Sequence, residues 1–318
     1  MKILFLGTPE FAAYSLDKIV KGGYNVVGVV TMPDKPAGRG KKLMQSPVKQ
    51  YAVEHGLPVF QPVKLKDPEF IEQLRALDAD LFIVIAFRML PEVVWQMPRL
   101  GTFNLHASLL PRYRGAAPIN WAVINGDTET GVTTFFLKHE IDTGDIIARE
   151  RIEIGPDDNV GTVHDRLMEL GAALTVKTID SIIAGTLTTI PQEQMATMEA
   201  TEPTAAPKIF HDTCRIDWTL PAQRVHNLVR GMSPYPGAWS LVADDNAEPV
   251  SFKIFETRLT DAPSTDAPGT IKVDGKRMFV NTADRRIEVL ALQAPGKRRM
   301  SADEFLRGWR YSNPRFTT

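Results

Sequence analysis

The first 186 residues alternate between short, almost wholly apolar runs and longer amphipathic stretches. A short apolar run bounded by turn-forming residues is typical of a parallel strand that is buried on both faces. Strands are predicted at residues 2–7, 25–31, near 59, 81–86, 103–106, 131–137 and 146–154, and helices at 9–20, 47–55, 67–77, 91–97, 119–124 and 160–184. This alternation predicts an α/β domain with an open, mostly parallel sheet.

The opening strand, helix and strand form a βαβ unit of the Rossmann-like kind, with Gly7 and Pro9 at its first turn. A dinucleotide-binding turn would carry three glycines in the spacing Gly-x-Gly-x-x-Gly. Only Gly7 precedes the first helix, so the sequence does not predict NAD binding. We expect a Rossmann-like sheet that binds its ligand along the carboxyl edge of its strands.

The pattern changes after residue 186. Residues 187–207 are rich in Thr, Gln, Glu and Pro and have little apolar periodicity, which favours a linker. A short helix at 221–232 is followed by strands predicted at 238–243, 250–259, 269–273, 278–282 and 287–292. Five short strands separated by turns are typical of a small OB-like β-barrel. The predicted organisation is a Rossmann-like domain at 1–186, a linker at 187–207 and an OB-like domain at 208–318.

The composition is that of an ordinary globular protein, with 43% hydrophobic and 24% charged residues and a formal net charge of −1. Attraction to a nucleic acid must therefore come from local basic patches. The single cysteine, Cys214, rules out an intrachain disulfide and suits a reducing compartment. No apolar run reaches the roughly 20 residues that a membrane helix needs. We expect a cytoplasmic protein without a membrane segment, and a monomer.

Residues 33–49 form a basic stretch in this nearly neutral chain. Asp34 is its one acidic residue, and three prolines predict that it lacks regular structure. Such a stretch can be a solvated connection, but long loops in compact domains are often functional, and this one suits a phosphate backbone. We favour the second interpretation. The basic residues are Lys35, Arg39, Lys41, Lys42 and Lys49.

Residues 101–114 follow the buried strand at 81–86 and contain a second short strand. Side chains alternate along a strand, so Asn104 and His106 share one face while Phe103 and Leu105 occupy the other. An amide and an imidazole at a strand end can together stabilise the oxyanion that forms when a carbonyl is attacked. Taken alone, this pair has a simpler interpretation, in which Asn104 caps a turn and His106 is a satisfied core histidine.

Asp142 lies in a polar turn, Asp-Thr-Gly-Asp, between the strands predicted at 131–137 and 146–154. Together with Asn104 and His106 it is expected to converge at the carboxyl edge of the sheet, where open α/β sheets bind ligands. Asp145, at the end of the same turn, is an alternative, but Ile146 and Ile147 after it indicate that it opens a strand. The combination favours a catalytic site over a structural pair.

This constellation resembles the formyltransferases that use 10-formyltetrahydrofolate, in its motifs and in their order. The resemblance extends over essentially the whole chain. Residues 5–12 (FLGTPEFA), 36–43 (PAGRGKKL), 114–118 (RGAAP) and 215–218 (RIDW) are similar to those of family members that formylate an aminoacylated tRNA. Residues 86–91 are one residue shorter than the usual family segment and lack its glycine.

The resemblance implies transfer of a formyl group from 10-formyltetrahydrofolate to the amino group of initiator methionyl-tRNA, with no metal and no side-chain nucleophile. It implies that Asn104, His106 and Asp142 are the catalytic residues. It places methionyl-tRNA on the basic stretch and the C-terminal domain. The residues that would line the folate site are Ser108, Leu109, Leu110, Pro111, Phe87, Arg88 and Met89.

Two alternatives remain open at this stage. A folate-dependent formyltransferase could act on a small amine, such as a purine precursor or an amino sugar, but a small substrate needs neither the basic stretch nor a second domain. A non-catalytic RNA-binding protein could use the barrel and the basic stretch, but it has no need of Asn104, His106 and Asp142.

Overall fold

The computed structural model describes residues 1–37, 42–244, 247–308 and 311–317. The chain forms two compact units, each assembled from three segments. The first contains Met1–Gly115, Gly131–Ile152 and Asp165–Ala205, and the second contains Ala116–Thr130, Glu153–His164 and Ala206–Thr318. No helix within the described part of the chain is long and apolar enough to cross a membrane.

The bounds of the helices and strands are as follows, numbered in chain order. The helices are α1 Glu10–Lys21, α2 Pro47–Glu54, α3 Pro68–Leu77, α4 Glu92–Trp95, α5 Pro118–Asn125, α6 Val160–Ala184, α7 Gln192–Glu199, α8 Ala222–Met232 and α9 Ala302–Leu306, with a 3₁₀ turn at Asp212–Cys214. The strands of the first half are β1 Lys2–Gly7, β2 Asn25–Val30, β3 Lys35–Ala37, β4 Lys42–Met44, β5 Val59–Phe60, β6 Leu81–Ile85, β7 Thr102–His106, β8 Arg114–Gly115, β9 Glu129–Phe136 and β10 Ile146–Glu153. Those of the second half are β11 Ala205–Ala206, β12 Ala238–Asp244, β13 Ala247–Pro263, β14 Ile271–Asp274, β15 Arg277–Asn281, β16 Arg285–Gln293, β17 Met300–Ser301 and β18 Arg315–Thr317.

The first unit is built on an open sheet with the strand order β10-β9-β7-β6-β1-β2-β5. The pairs β1–β2, β1–β6, β2–β5 and β6–β7 are parallel, and β7–β9 is antiparallel. The central strands β1 and β6 are buried because their side chains are apolar on both faces; Leu4 and Leu6 of β1 are fully buried. Because β6 and β7 are parallel neighbours, the residues that follow each of them leave the sheet at the same edge.

The second unit contains an antiparallel sheet with the order β14-β15-β16-β13-β12-β18, and β17 pairs with β16. A bridge between Thr270 and Arg315 brings the two ends of this order together, so the sheet is curled. Its core includes Trp218, which is fully buried and stacks on Phe316 with ring centroids 5.0 Å apart. The fold class expected from the sequence, a Rossmann-like α/β domain followed by a smaller barrel-like β-domain, is confirmed.

Two stretches that the sequence predicts to lack regular structure do contain it. In the basic stretch, β3 and β4 form an antiparallel hairpin in which Pro36 pairs with Leu43. Proline is tolerated there because the two strands pair only with each other, and an edge position does not need every N–H. Residues 187–207 contain α7, whose Gln192 and Met195 are buried, and Ile190 pairs with Ile146.

A buried histidine in the second unit should make its stability depend on pH. His226 is 4% exposed; its Nδ1 lies 2.9 Å from Thr257 Oγ1 and its Nε2 3.3 Å from the carbonyl oxygen of Pro156. A carbonyl only accepts, so Nε2 carries the hydrogen and Nδ1 accepts from the Thr257 hydroxyl. Burial, aided by the charge of Arg230, holds the pKa of His226 below its usual value, although the Pro156 carbonyl and Asp157 oppose this.

We expect His226→Gln to flatten the pH dependence of unfolding in this unit. Below the unfolded-state pKa, about 6.5, the unfolded chain binds a proton that the folded chain disfavours. The wild-type free energy of unfolding should therefore lose up to about 1.4 kcal/mol per pH unit from this group as pH falls from 6.5 towards the folded-state pKa. Urea unfolding at pH 7.5, 6.5 and 5.5 measures the difference. Identical slopes in the two proteins would contradict the assignment.

Candidate active site

Strand β7 lies inside the sheet and carries the two predicted oxyanion-stabilising residues. Asn104 pairs with Val84 of β6 on one side and with Phe135 of β9 on the other, so its backbone is fixed from both sides. Its side-chain oxygen Oδ1 is buried and has no hydrogen-bond partner among the residues that the structure describes. A buried amide oxygen without a partner is costly. Asn104 Oδ1 is therefore an acceptor that a donor on a substrate can satisfy.

His106 ends β7 and is 6% exposed, with its ring edge-on to Phe135. Its Nε2 lies 2.8 Å from the carbonyl oxygen of Tyr113. Because a carbonyl can only accept, Nε2 carries a hydrogen in both the neutral and the charged ring. Nδ1 is therefore the ring nitrogen that the Tyr113 carbonyl does not engage. It faces the carboxylate of Asp142, whose Oδ2 is 3.8 Å away, which is too far for a direct hydrogen bond.

Asp142 is largely buried, with 11% of its side chain exposed, and its backbone is left-handed with φ 54°. The backbone N–H of Gly115 donates to Oδ2 at 2.9 Å, which fixes the carboxylate. Asp145 instead pairs with the Lys138 ammonium at 2.7 Å and has no such link to His106. Of the two acids in the predicted turn, Asp142 is the one beside the histidine.

The predicted folate-site residues that follow β7, Ser108 to Pro111, are all buried. The Ser108 hydroxyl donates to the carbonyl of Arg112 at 2.7 Å, so it is used within the protein. The Leu110 carbonyl accepts from Arg149 at 2.8 Å, and the Leu110–Pro111 peptide bond is cis. Arg149 also pairs with Glu199 and holds the pKa of that carboxyl below its usual range. These residues can contribute shape and backbone groups to a ligand, whereas the Ser108 hydroxyl is already engaged.

The other predicted folate residues follow β6 and differ among themselves. Phe87 packs on the core of the first unit. Arg88 donates to the carbonyls of Val63, at 2.8 Å, and Pro62, and burial lowers the pKa of Arg88. Met89 is 69% exposed. Since β6 and β7 are parallel neighbours, residues 87–89 and 108–111 leave the sheet at the same edge.

The predicted tRNA-binding residues divide into three groups. Lys35 is exposed on β3. Arg39 and Lys41 lie outside the described residues, and Lys42 is described only through its backbone in β4. Lys49 differs from the sequence-based expectation, because its ammonium lies 2.6 Å from Asp34, which also accepts from Gln61. With 16% of its side chain exposed, Lys49 connects the two ends of the basic stretch and is not a free cation.

Sequence reasoning missed the residues that orient His106 and Asp142. The carbonyl of Tyr113 and the N–H of Gly115 are backbone groups, which side-chain chemistry cannot reveal. Gln192 contacts the Asp142 turn from the stretch predicted as a linker. The family motif at residues 114–118 marks the neighbourhood of Gly115, but no signal marked Gln192. The described residues contain no cluster of His, Cys, Asp or Glu able to hold a metal ion.

Two family models of formyl transferases match this chain. A family model described as formyl transferase matches residues 1–179, and one described as formyl transferase, C-terminal domain, matches residues 208–310. The chain belongs to the formyltransferase family. The family and the reaction class expected from the sequence, formyl transfer, are confirmed.

Relatives of this formyltransferase match it over nearly its whole length. The methionyl-tRNA formyltransferase of Bacteroides fragilis is 60% identical over 310 residues, which cover 97% of this chain and 95% of that one. The protein of the same name from Flavobacterium johnsoniae is 49% identical over 313 residues, covering 98% of each chain.

Solved structures of more distant relatives share the fold of this formyltransferase. An N-formyltransferase from Helicobacter canadensis, solved with folinic acid and dTDP-3-aminofucose, has a TM-score of 0.64 at 20% identity and covers 92% of this chain and 99% of its own. HypX from Aquifex aeolicus in complex with tetrahydrofolic acid has a TM-score of 0.63 at 17% identity and covers 100% of this chain and 51% of its own. At these identities the likeness shows the fold alone.

Proposed function

We propose that this formyltransferase transfers the formyl group of 10-formyltetrahydrofolate to the free amino group of initiator methionyl-tRNA, giving N-formylmethionyl-tRNA for translation initiation. The observation that carries the choice of acceptor is the 60% identity, across both family domains, to a relative named methionyl-tRNA formyltransferase. A formyltransferase for a small amine remains the alternative outcome of the experiment below.

The nucleophile in this reaction belongs to the substrate. A free α-amino group has a pKa of about 7.7–8.0, so a useful neutral fraction exists near neutral pH without a strong base. Its nitrogen attacks the formyl carbon, and the carbonyl electron pair moves onto oxygen. The pair then returns as the bond between that carbon and N10 of the folate breaks, and N10 takes up a proton and leaves as tetrahydrofolate. The N–H groups of the Asn104 amide and a protonated Nδ1 of His106 would donate to the oxyanion, and the unpartnered Oδ1 of Asn104 would accept from the attacking amino group. Asp142, beside Nδ1, accepts the proton from the attacking nitrogen, directly or through water.

The folate cosubstrate is proposed to bind at the sheet edge where residues 87–89 and 108–111 emerge. Two observations support this placement. The segments leave neighbouring parallel strands, β6 and β7, and the second follows His106 directly. We propose that Ser108 contributes through the turn that its hydroxyl stabilises, and that Leu109, Leu110 and Pro111 supply apolar surface.

One assay tests the function. The purified protein is incubated with 10-formyltetrahydrofolate and methionyl-tRNA, and N-formylmethionine is measured after deacylation. We expect formylation by the wild-type protein and almost none by Asp142→Asn. Formylation of amino-sugar nucleotides or of purine precursors, with none of methionyl-tRNA, would favour the small-amine alternative. Binding of tRNA without formylation of any acceptor would favour the RNA-binding alternative.

We propose that the basic stretch, residues 33–49, which contains the hairpin strands β3 and β4, contacts the tRNA backbone together with the C-terminal unit. Its contacting residues would be Lys35, Arg39, Lys41 and Lys42. We expect the triple variant Arg39→Gln, Lys41→Gln, Lys42→Gln to bind tRNA more weakly and to retain folate affinity. Each lost phosphate contact should reduce the slope of log affinity against log salt by about 0.7 to 0.9. Filter retention at several salt concentrations measures the slope.

A matched control removes three cations from the amino edge of the large sheet in the first unit, whereas the hairpin follows the carboxyl end of β2. Lys2 begins β1, Lys21 ends α1 and Arg75 lies in the last turn of α3. These cations make exposed ion pairs that contribute little to stability. If the control triple variant lowers the salt slope as much as the hairpin variant does, the effect is one of overall charge and the hairpin assignment is wrong.

A further inference from the structure

Gln192, the first residue of α7, is completely buried. Its amide Nε2 donates to the carbonyl oxygens of Asp142 at 2.8 Å and Gly144 at 2.9 Å. Its Oε1 accepts from Arg114 Nε at 3.0 Å and Nη2 at 2.7 Å. A glutamine amide has two N–H donors and two acceptor lone pairs, and all four are used here. A carboxylate would oppose two carbonyl oxygens, and an apolar side chain would leave three residues with unpaired groups.

The two carbonyls that Gln192 holds flank the turn that presents the Asp142 carboxylate. Asp142 has a left-handed backbone, which a residue other than glycine keeps only where its surroundings hold it. The turn is also fixed at Gly144, where an added Cβ would lie 1.5 Å from the carbonyl oxygen of Phe136. On the side-chain face, the Gly115 N–H holds Oδ2. Gln192 therefore fixes the backbone of Asp142, while Gly115 fixes its side chain.

Thr204, twelve residues after Gln192, holds the backbone around Tyr113, whose carbonyl is bonded to His106. Thr204 Oγ1 accepts from the N–H of Tyr113 at 2.9 Å, and the Thr204 carbonyl accepts from the N–H of Arg114 at 2.8 Å. The carbonyl of Tyr113 is the group that orients the His106 ring. Residues 190–204 thus hold the structures that orient both His106 and Asp142.

We propose that Gln192 is a positioning residue for formyl transfer, because it sets the Asp142 carboxylate against Nδ1 of His106. Gln192 and Thr204 then belong to the scaffold that holds the two reacting side chains. The proposal rests on the proposed function, since it assigns the Asp142–His106 pair its part in that reaction. Gln192 itself acts through Asp142 and need not touch either substrate.

A double-mutant cycle tests the proposal. Gln192→Met keeps the side-chain length and removes its hydrogen bonds. We expect it to lower kcat at least about tenfold, because small misplacements of a reacting group are costly, with KM for both substrates changed less than about threefold. In an Asp142→Asn background, where the carboxylate is already lost, the same substitution should change kcat by less than about twofold. A tenfold loss in both backgrounds would show that Gln192 does not act through Asp142 and would overturn the proposal.

Gln194→Met is the matched control, since Gln194 lies two positions further along α7 and is exposed. It should leave kcat unchanged. A second measurement needs no turnover: hydrogen exchange at the Gly115 amide, which donates to Asp142 Oδ2. Its exchange should accelerate in Gln192→Met and not in Gln194→Met. Equal protection in all three proteins would overturn the proposal, whereas a wild-type protein inactive on methionyl-tRNA but showing this difference would overturn only the proposed acceptor.

Discussion

Replacing His106 with alanine is expected to lower kcat for formyl transfer at least about a hundredfold. The reason is the arrangement of its ring, in which Nε2 is bound to the Tyr113 carbonyl and Nδ1 faces Asp142. Alanine removes the group that can hold a proton between the carboxylate and the intermediate. Asn104→Ala and Asp142→Ala should each have effects of similar size, since one removes the amide proposed to donate to the oxyanion and the other removes the carboxylate beside Nδ1. Single-turnover rates at saturating folate and tRNA measure all three.

The appropriate control is Asp145→Ala, which removes a carboxylate from the same turn. Asp145 pairs with Lys138, whose side chain is half exposed, so its loss should change kcat little. Binding of tRNA and folate should survive in all four variants, because the substitutions leave the basic stretch, the C-terminal unit and residues 87–89 and 108–111 unchanged. Near-wild-type turnover in His106→Ala, or a loss in Asp145→Ala equal to that in Asp142→Ala, would remove the assigned roles.

The strand that carries Asn104 and His106 was predictable because its signal is local. The side-chain alternation along β7 follows from the period of a β-strand, and Phe103 and Leu105 identify the apolar face. Asp142 was expected to approach through convergence at one carboxyl edge, but β9 is antiparallel to β7 and its end, Phe136, lies beside Phe103 at the start of β7. The turn after β9 nevertheless brings Asp142 to His106. Neither the 3.8 Å separation from Nδ1 nor the choice of Nδ1 as the reacting nitrogen could be predicted, because both depend on the backbone groups of Tyr113 and Gly115.

The basic stretch shows a different limit of sequence reasoning. Its excess of Lys and Arg was visible, but Lys49 and Asp34 were counted as separate charges, although they lie 2.6 Å apart. The Lys49 ammonium, together with the Gln61 amide, holds the pKa of Asp34 below its usual range. A pair of opposite charges separated along a loop carries no local signal of contact. The net basic charge offered to a phosphate backbone is therefore smaller than a count of residues indicates.

Residues 187–207 were predicted as a linker because their apolar residues lack a helical period. The helix α7 is short and buries only one face, with Met195 contacting a cluster of Leu110, Phe135 and Ile146. Gln192, which donates to two carbonyl oxygens of the Asp142 turn, is polar, and polar residues are expected at surfaces. Its partners are carbonyl oxygens 50 and 48 residues away in the chain. No periodicity or composition encodes such a contact.

Replacing residues 190–204 with a flexible Gly/Ser segment of equal length is expected to reduce formyl transfer at least roughly a hundredfold, with any amine acceptor. The exchange removes Gln192 and Thr204 and so releases the turns that hold Asp142 and Tyr113. It also removes Met195 from its cluster, and loss of a buried methionine side chain costs about 2–5 kcal/mol. Calorimetry should therefore show a lower unfolding temperature for the first unit and little change for the second.

A chain in which only the exposed residues Glu193, Gln194 and Met198 are changed to serine is the control for this exchange. It keeps every contact described above and should retain kcat within about threefold, since surface substitutions have small effects. Affinity for tRNA should be similar in both chains, because the hairpin and the C-terminal unit are unaltered in each. Full activity of the Gly/Ser chain would mean that residues 190–204 are a simple connection. Activity lost in the Gly/Ser chain but kept in the control places the helix α7 and Thr204 within the catalytic scaffold.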